Sequence, residues 1–220
     1  MKSLYVAILM LLLCQPMAMQ AQTTWKRSMY TQVTPQNFRQ QTIFQQPINN
    51  NKIDYPLLNA VIFYLVNEYR LRNNLPALPY SPILEAASWH HSKAMAEGNF
   101  FSHTNSRDKQ RAEPRDRVRL AGGSNLPTGA AATTGQAGIA ENIAMNFGKT
   151  GLSYLQMGEA FFEQWRNSSG HNQNMLSDRA KQSGVGVFQL DGKFYATHKF
   201  AWFNEVKDGA PVVDKLPAEL

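Results

Sequence analysis

Two histidines and one glutamate sit in surroundings that mark them as candidates for chemistry. His171 lies in Trp165-Arg-Asn-Ser-Ser-Gly-His-Asn-Gln-Asn-Met-Leu176, where a large apolar anchor, a small-residue turn and an imidazole fall close together. Asn167, Ser168, Ser169 and Gly170 favour helix caps and helix ends. His171 is therefore expected where one helix stops and a short one begins, held rigidly yet able to reach a cleft. Glu141 stands in Ile139-Ala-Glu-Asn-Ile-Ala144 between apolar neighbours. Burying its carboxylate is costly unless a cation, a metal or a donor pairs with it; the alternative is a surface glutamate in a turn. His103 follows two aromatics in Phe100-Phe-Ser-His-Thr104, which pin the segment to a core and leave the imidazole in a loop, with or without a role. Imidazole and carboxylate groups bind metals and move protons near neutral pH.

Other chemistries are excluded or lack their motifs. Cys14 is the one cysteine and falls within an N-terminal leader, so the mature chain has no disulfide, thiolate nucleophile or cysteine-ligated zinc. There is no HExxH pair, and Ser102 and Ser169 lack the context of a nucleophile elbow. The Gly-, Ala- and Thr-rich stretch from Ala121 to Gly138 is not a phosphate loop, because no strand leads in and no Gly-Lys-Ser/Thr follows. A formal charge of +6, one less once Lys2 leaves, suits contact with anionic envelope polymers or lipid headgroups. It is not the dense basic stripe of a nucleic-acid binder.

The leader is residues 1–22. Lys2 supplies its positive start, Leu4 to Cys14 its apolar run, and Ala18 to Ala21 a small-residue exit, with cleavage expected after Ala21 or Gln22. The run is shorter than the roughly 20 residues of a spanning helix, so no transmembrane segment is expected in the mature chain. Lipid anchoring at Cys14 is the lesser reading, because bulky Leu13 precedes it. Residues 23–55 read as a polar arm, rich in Gln, Asn and Thr, that spaces the folded body from the envelope.

The body spans residues 56–204. Pro56 opens a first helix whose Leu58, Ile62, Leu65, Val66 and Tyr69 share a face. Ser81-Pro82 caps a second, with Leu84, Ala87, His91, Ala94 and Met95 inward and Gly98 at its close. His91 on that stripe reads as a core histidine, and His90 as a solvated one. Arg107 to Arg119 reads as a solvated face or rim, or more sharply as a basic patch. Leu155, Phe162 and Trp165 define a third helix. Asp191-Gly192, between Gly184–Leu190 and Lys193–Phe203, is a strong hairpin signal because both turn positions need positive φ. Phe194, Ala196, His198, Phe200 and Trp202 share one face, which makes His198 a packed residue. Residues 205–220 form a polar, proline-broken tail.

This ordered set resembles the CAP superfamily, which includes cysteine-rich secretory proteins, antigen 5 and plant pathogenesis-related 1 proteins. It is most similar to the cysteine-free bacterial branch of secreted SCP-domain proteins. The resemblance is carried by Val66-Asn-Glu-Tyr-Arg70, His91-Ser-Lys-Ala-Met95, Phe100-Phe-Ser-His-Thr104 and Ala140-Glu-Asn-Ile-Ala144. Trp165 with Ser169-Gly-His-Asn-Gln-Asn174 and the strand Tyr195 to Phe203 complete it. It covers about residues 56 to 204.

The resemblance implies an α+β fold, a three-layer α-β-α sandwich with a central antiparallel sheet. It also implies a cleft where His103, Glu141 and His171 meet and bind a divalent metal such as Zn2+. Two imidazoles and a carboxylate suit a three-ligand zinc site with one open position, or an acid/base pair with an orienting carboxylate. The family's fourth residue, a glutamate just after the helix tryptophan, is absent, since Arg166 and Asn167 stand there. Glu163 or Glu159 substitutes only if the helix turns it inward. Gly170-His171-Asn172 replaces the Gly-His-Arg of many bacterial relatives. The expected function is a secreted or envelope-associated binding module, monomeric, taking a small apolar ligand or an envelope polymer and no nucleic acid, rather than an enzyme. The alternatives are a metal-dependent hydrolase of peptide or cell-wall bonds and a lipid- or sterol-binding protein.

Overall fold

In the computed structural model, residues 24–126, 138–148, 151–203 and 206–217 are described. The leader and most of the Gly/Ala/Thr stretch lie outside them. Among the described residues, five α-helices and three strands follow in the order α1 (Tyr55–Arg72), α2 (Pro82–Gly98), α3 (Pro114–Leu120), β1 (Ile139–Phe147), α4 (Tyr154–Arg166), α5 (Ser169–Met175), β2 (Gln182–Leu190) and β3 (Lys193–Ala201). The helix starts follow from their caps. Asp54 Oδ1 accepts from Leu57 N at 2.9 Å, Ser81 Oγ from Leu84 N at 3.3 Å and Ser153 Oγ from Gln156 N at 3.2 Å. Proline occupies the first turn of α1, α2 and α3. The second helix runs through Gly98, and the left-handed position that ends it falls to Asn99, with φ 49°.

The sheet is antiparallel with strand order β1-β3-β2. Asp191 and Gly192 turn the hairpin with φ of 50° and 75°, as the Asp-Gly signal predicts. Helices α2 and α3 cover one face of the sheet, and α1 and α4 the other, giving the α-β-α layering. Alternation along β3 sends Phe194, Ala196, His198 and Phe200 toward α1 and α4, and Tyr195, Thr197 and Lys199 toward α2. His198 is fully buried between Trp165 and Phe200, with ring centroids 5.8 and 4.1 Å away. Burial, with Arg70 nearby, pushes its imidazole down to about 3. It is the packed residue that the hairpin alternation predicts.

Backbone approach is closest where α2 meets β2. Ser88 Oγ donates to Gly184 O at 3.0 Å and Ser92 Oγ to Gly186 O at 2.8 Å, and Ser92 Oγ accepts from Thr197 Oγ1 at 2.9 Å. A sheet with small residues on this face lets the helix lie directly on the strand backbone. Both edges of the sheet are covered. On β2, Asn59 Oδ1 accepts from Val187 N at 2.9 Å and the Tyr55 hydroxyl from Gln189 N at 3.3 Å. On β1, the Trp165 indole donates to Ile143 O at 3.0 Å.

Two expectations are corrected. The segment before α1 is no solvated spacer over residues 24–48. Trp25, Phe38 and Phe44 are buried around Tyr64, whose hydroxyl donates to Val33 O at 3.1 Å. Asn49, Asn50 and Asn51 behave as expected and are exposed. The tail also folds back. Gly209 and Ala210 N–H groups donate to Gly122 O, and those of Val213 and Asp214 to Leu120 O. His90, read as solvated, is partly exposed, and its Nε2 donates to Lys215 O at 2.8 Å.

Candidate functional site

Strand β1 carries the site because its alternation splits two adjacent polar residues between the two helical layers. Glu141 points to the α2/α3 side, directly across from Lys199 of β3. Asn142, paired with His198, points to the α4/α5 side. Its Nδ2 donates to His171 O at 3.0 Å, and its Oδ1 accepts from Asn174 Nδ2 at 2.9 Å. Asn142 thereby fixes α5, the short helix that presents His171. This helix begins three residues after α4 ends, at the junction read from the Asn167–Gly170 turn.

Glu141 is buried, with 2% of its side chain exposed, and its oxygens are fully engaged. Arg117 Nη2 donates to Oε1 and Oε2 at 3.1 and 3.0 Å, and the Lys199 ammonium donates to Oε2. His103 Nδ1 donates to Oε1 at 3.0 Å. Nε2 of His91 donates to Ser102 O at 3.0 Å and stands 3.8 Å from Glu141 Oε1. Burial alone would raise the Glu141 carboxyl. Lys199 and then Arg117 overcome that, with the His103 hydrogen bond adding, and the group lies well below the usual carboxylate range. Lys199 falls to about 7 although it faces a carboxylate: burial lowers it, Glu141 opposes, and neighbouring Arg117 lowers it further. His91 falls to about 3 through burial, which the attraction of Glu141 only partly offsets.

His103 and His171 face each other with ring centroids 6.4 Å apart. The His103 side chain is 48% exposed, and His171 is half-buried. Because His103 Nδ1–H is committed to Glu141, the neutral ring keeps its lone pair on Nε2. The His171 imidazole is lowered by burial and then by His103. The structure thus brings His103 against Glu141 and His171 opposite His103. Glu163 pairs with Arg166 on the exposed side of α4, and Glu159 with Arg39. Neither turns inward.

Among the described residues, no group of three or more His, Cys, Asp or Glu side chains is disposed to hold a metal ion. The donor chemistry explains this. Glu141 serves as counter-ion to two buried cations and orients His103, so its oxygens are committed to these partners. Glu141 thereby fixes the tautomer of the His103 ring, as an outer carboxylate does for an imidazole.

Arg117 and Lys199 were not legible as site residues. Arg117 lies in the Arg107–Arg119 run read as a solvated face, yet it is 1% exposed. The available signal was the demand of Glu141 for a cation. Lys199 occupies the second face of the β3 alternation, which α2 covers.

The chain is similar to known proteins. The cysteine-rich secretory protein family model, CAP, matches residues 63–203, well over half of the chain, so the chain belongs to that family. An extracellular protein containing an SCP domain from Bacillus anthracis str. Ames is 25% identical at a TM-score of 0.52; the match covers 71% of this chain and 44% of that one. A cysteine-rich secretory protein from Staphylococcus aureus subsp. aureus Mu50 is 14% identical at a TM-score of 0.41, covering 70% of this chain and 45% of that one. The membrane protein YlbC of Bacillus subtilis (strain 168) is 32% identical over 134 residues, 61% of this chain and 32% of YlbC. The chain thus spans about a third of that relative and under half of the solved Bacillus anthracis protein. Among the described residues, no helix is long and apolar enough to cross a membrane.

Proposed function

We propose that this chain is a secreted CAP-domain binding module whose ligand site is the cleft between His103 and His171, able to hold a divalent metal such as zinc and without turnover of its own. The observation that carries the reading is the state of Glu141. A carboxylate locked between Lys199 and Arg117 has little basicity, so it orients His103 rather than abstracting a proton. The second glutamate of the family pattern is missing, and Glu163 and Glu159 face outward. Of these glutamates, none is left free at the cleft to act as the base of a metal-assisted peptide or cell-wall hydrolysis. Secretion is supported by the leader-like residues 1–22 and by the extracellular Bacillus anthracis relative.

His103 Nε2 and the His171 ring would be the protein ligands, and Asn142 holds the backbone of His171 from below. When bound, the ion supplies a Lewis-acidic point for an oxygen-bearing ligand. Calorimetric zinc titration of the purified chain tests this. One weak site is expected per chain, lost in both His103→Ala and His171→Ala while far-UV circular dichroism stays unchanged. Peptide and cell-wall substrates should remain intact with zinc present. Zinc uptake indifferent to both variants, or zinc-dependent hydrolysis that either variant abolishes, would refute the proposal.

A further inference from the structure

The C-terminal segment grips the turn before α3 and the last residue of α3, and α3 carries the arginine that holds the site together. At one end, Asp214, 3% exposed, accepts from Arg111 Nε at 2.9 and 3.2 Å and from Nη2 at 2.6 Å. At the other, the backbone N–H groups of Val213 and Asp214 both donate at 2.9 Å to Leu120 O, in the last residue of the helix. Arg111 lies just before α3, and its carbonyl and that of Ala112 each accept from Arg117 Nη1 at 2.8 Å. The other terminal nitrogen of Arg117 donates to Glu141 and to His103 O, the latter at 2.9 Å. Ala112 O also accepts from Asn105 N at 2.9 Å, which ties the His103 loop to the same turn.

We propose that Asp214 is a positioning residue for the His103–His171 cleft, acting from the C-terminal segment through Arg111 and Arg117. The carboxylate fixes the Arg111 side chain. That holds the turn whose two carbonyls aim Arg117, and Arg117 in turn sets the Glu141 carboxylate and the His103 backbone. Each link is a hydrogen bond to a charged group, the stronger kind, and Arg117 and Asp214 are both shielded from water. Two acids, Asp214 first and then Asp108, hold the Arg111 guanidinium above its ordinary value, as this clamp requires. Neither the Arg107–Arg119 run nor the tail carries a sequence signal for the pairing, since Arg111 and Asp214 lie 103 positions apart.

The inference rests on the cleft being the ligand site, so its test reads the cleft both with and without metal. Nitrogen NMR of the His103 ring, above about pH 8 where a histidine is ordinarily neutral, reports which ring nitrogen carries the proton. In the intact chain the proton sits on Nδ1. In Asp214→Asn and in Arg111→Met the tautomers mix, and zinc affinity falls about tenfold, as for outer partners of metal ligands. Val206→Ala serves as the control, since Val206 is a buried residue of the same segment outside the Arg111 contact. It should lower stability while leaving tautomer and affinity unchanged. An unchanged tautomer in Asp214→Asn, or an equal change in Val206→Ala, overturns the inference. If the intact chain takes up no zinc, the metal reading fails alone and the tautomer still decides the role of Asp214.

Discussion

Gly186→Ala should cost about 4 kcal/mol or more of stability, enough to leave the chain unfolded or nearly so. A Cβ built at Gly186 would lie 2.0 Å from Trp89 N and 2.4 Å from Trp89 Cα, inside the backbone of α2. The helix cannot simply retreat. Ser88 and Ser92 bond the carbonyls of Gly184 and Gly186, and Leu84 and Met95 are fully buried on the same helix. Moving α2 would also drag His91 and the Ser102 carbonyl it holds, and with them the loop that presents His103. Urea denaturation measures the loss. Gly170→Ala is the matched control, because nothing lies within 4 Å of the point its new methyl group would occupy. Lying within a short helix, it should stabilise by up to about 1 kcal/mol. A Gly186→Ala chain as stable as the parent would mean that the helix and strand do not pack at backbone contact.

The second large effect belongs to Glu141. Glu141→Gln leaves Arg117 and Lys199 buried without a counter-ion, and breaking a buried pair in this way costs about 3–5 kcal/mol. Adding Lys199→Met should recover much of that loss by removing one of the two stranded charges. The pH dependence carries a definite sign. The folded Glu141 carboxyl is depressed, so its contribution is present above the ordinary carboxylate value and disappears as pH falls through the folded one. Lys199, lowered to about 7, binds fewer protons folded than unfolded between that value and about 10.4. Stability should therefore climb from pH 7 toward about 9.5, below the range in which buried Tyr64 and Tyr80 begin to oppose it. The single Lys199→Met variant should lose this rise. Thermal unfolding across that window measures it, and a parent and variant with parallel profiles would contradict the assignment.

Elements with local rules were readable in the sequence. The Asp191-Gly192 turn, the proline-opened helices and the cap at Ser81 each depend on a few neighbouring residues, and each formed. The packed roles of His91 and His198 followed from period alone. What could not be read depends on partners distant in the chain. Trp25, Phe38 and Phe44 are aromatics at no regular spacing, so their polar surroundings suggested a solvated arm; the cavity they fill around Tyr64 exists only after α1 folds. Arg117 looks like its neighbours Arg115 and Arg119 until β1 places Glu141 beneath it. The convergence of His103 with His171 rested on family resemblance. The tie of His103 to Glu141 and the cross-strand pairing of Glu141 with Lys199 came from the structure.

The most direct measurement is a crystal structure of the zinc-loaded chain. The ion should lie about 2.0–2.1 Å from one ring nitrogen each of His103 and His171, with Glu141 still held by Arg117 and Lys199 and its oxygens off the metal. A Glu141 oxygen bound to the ion, or an ion held away from either histidine, would contradict the account of Glu141 as the carboxylate that orients the site from behind.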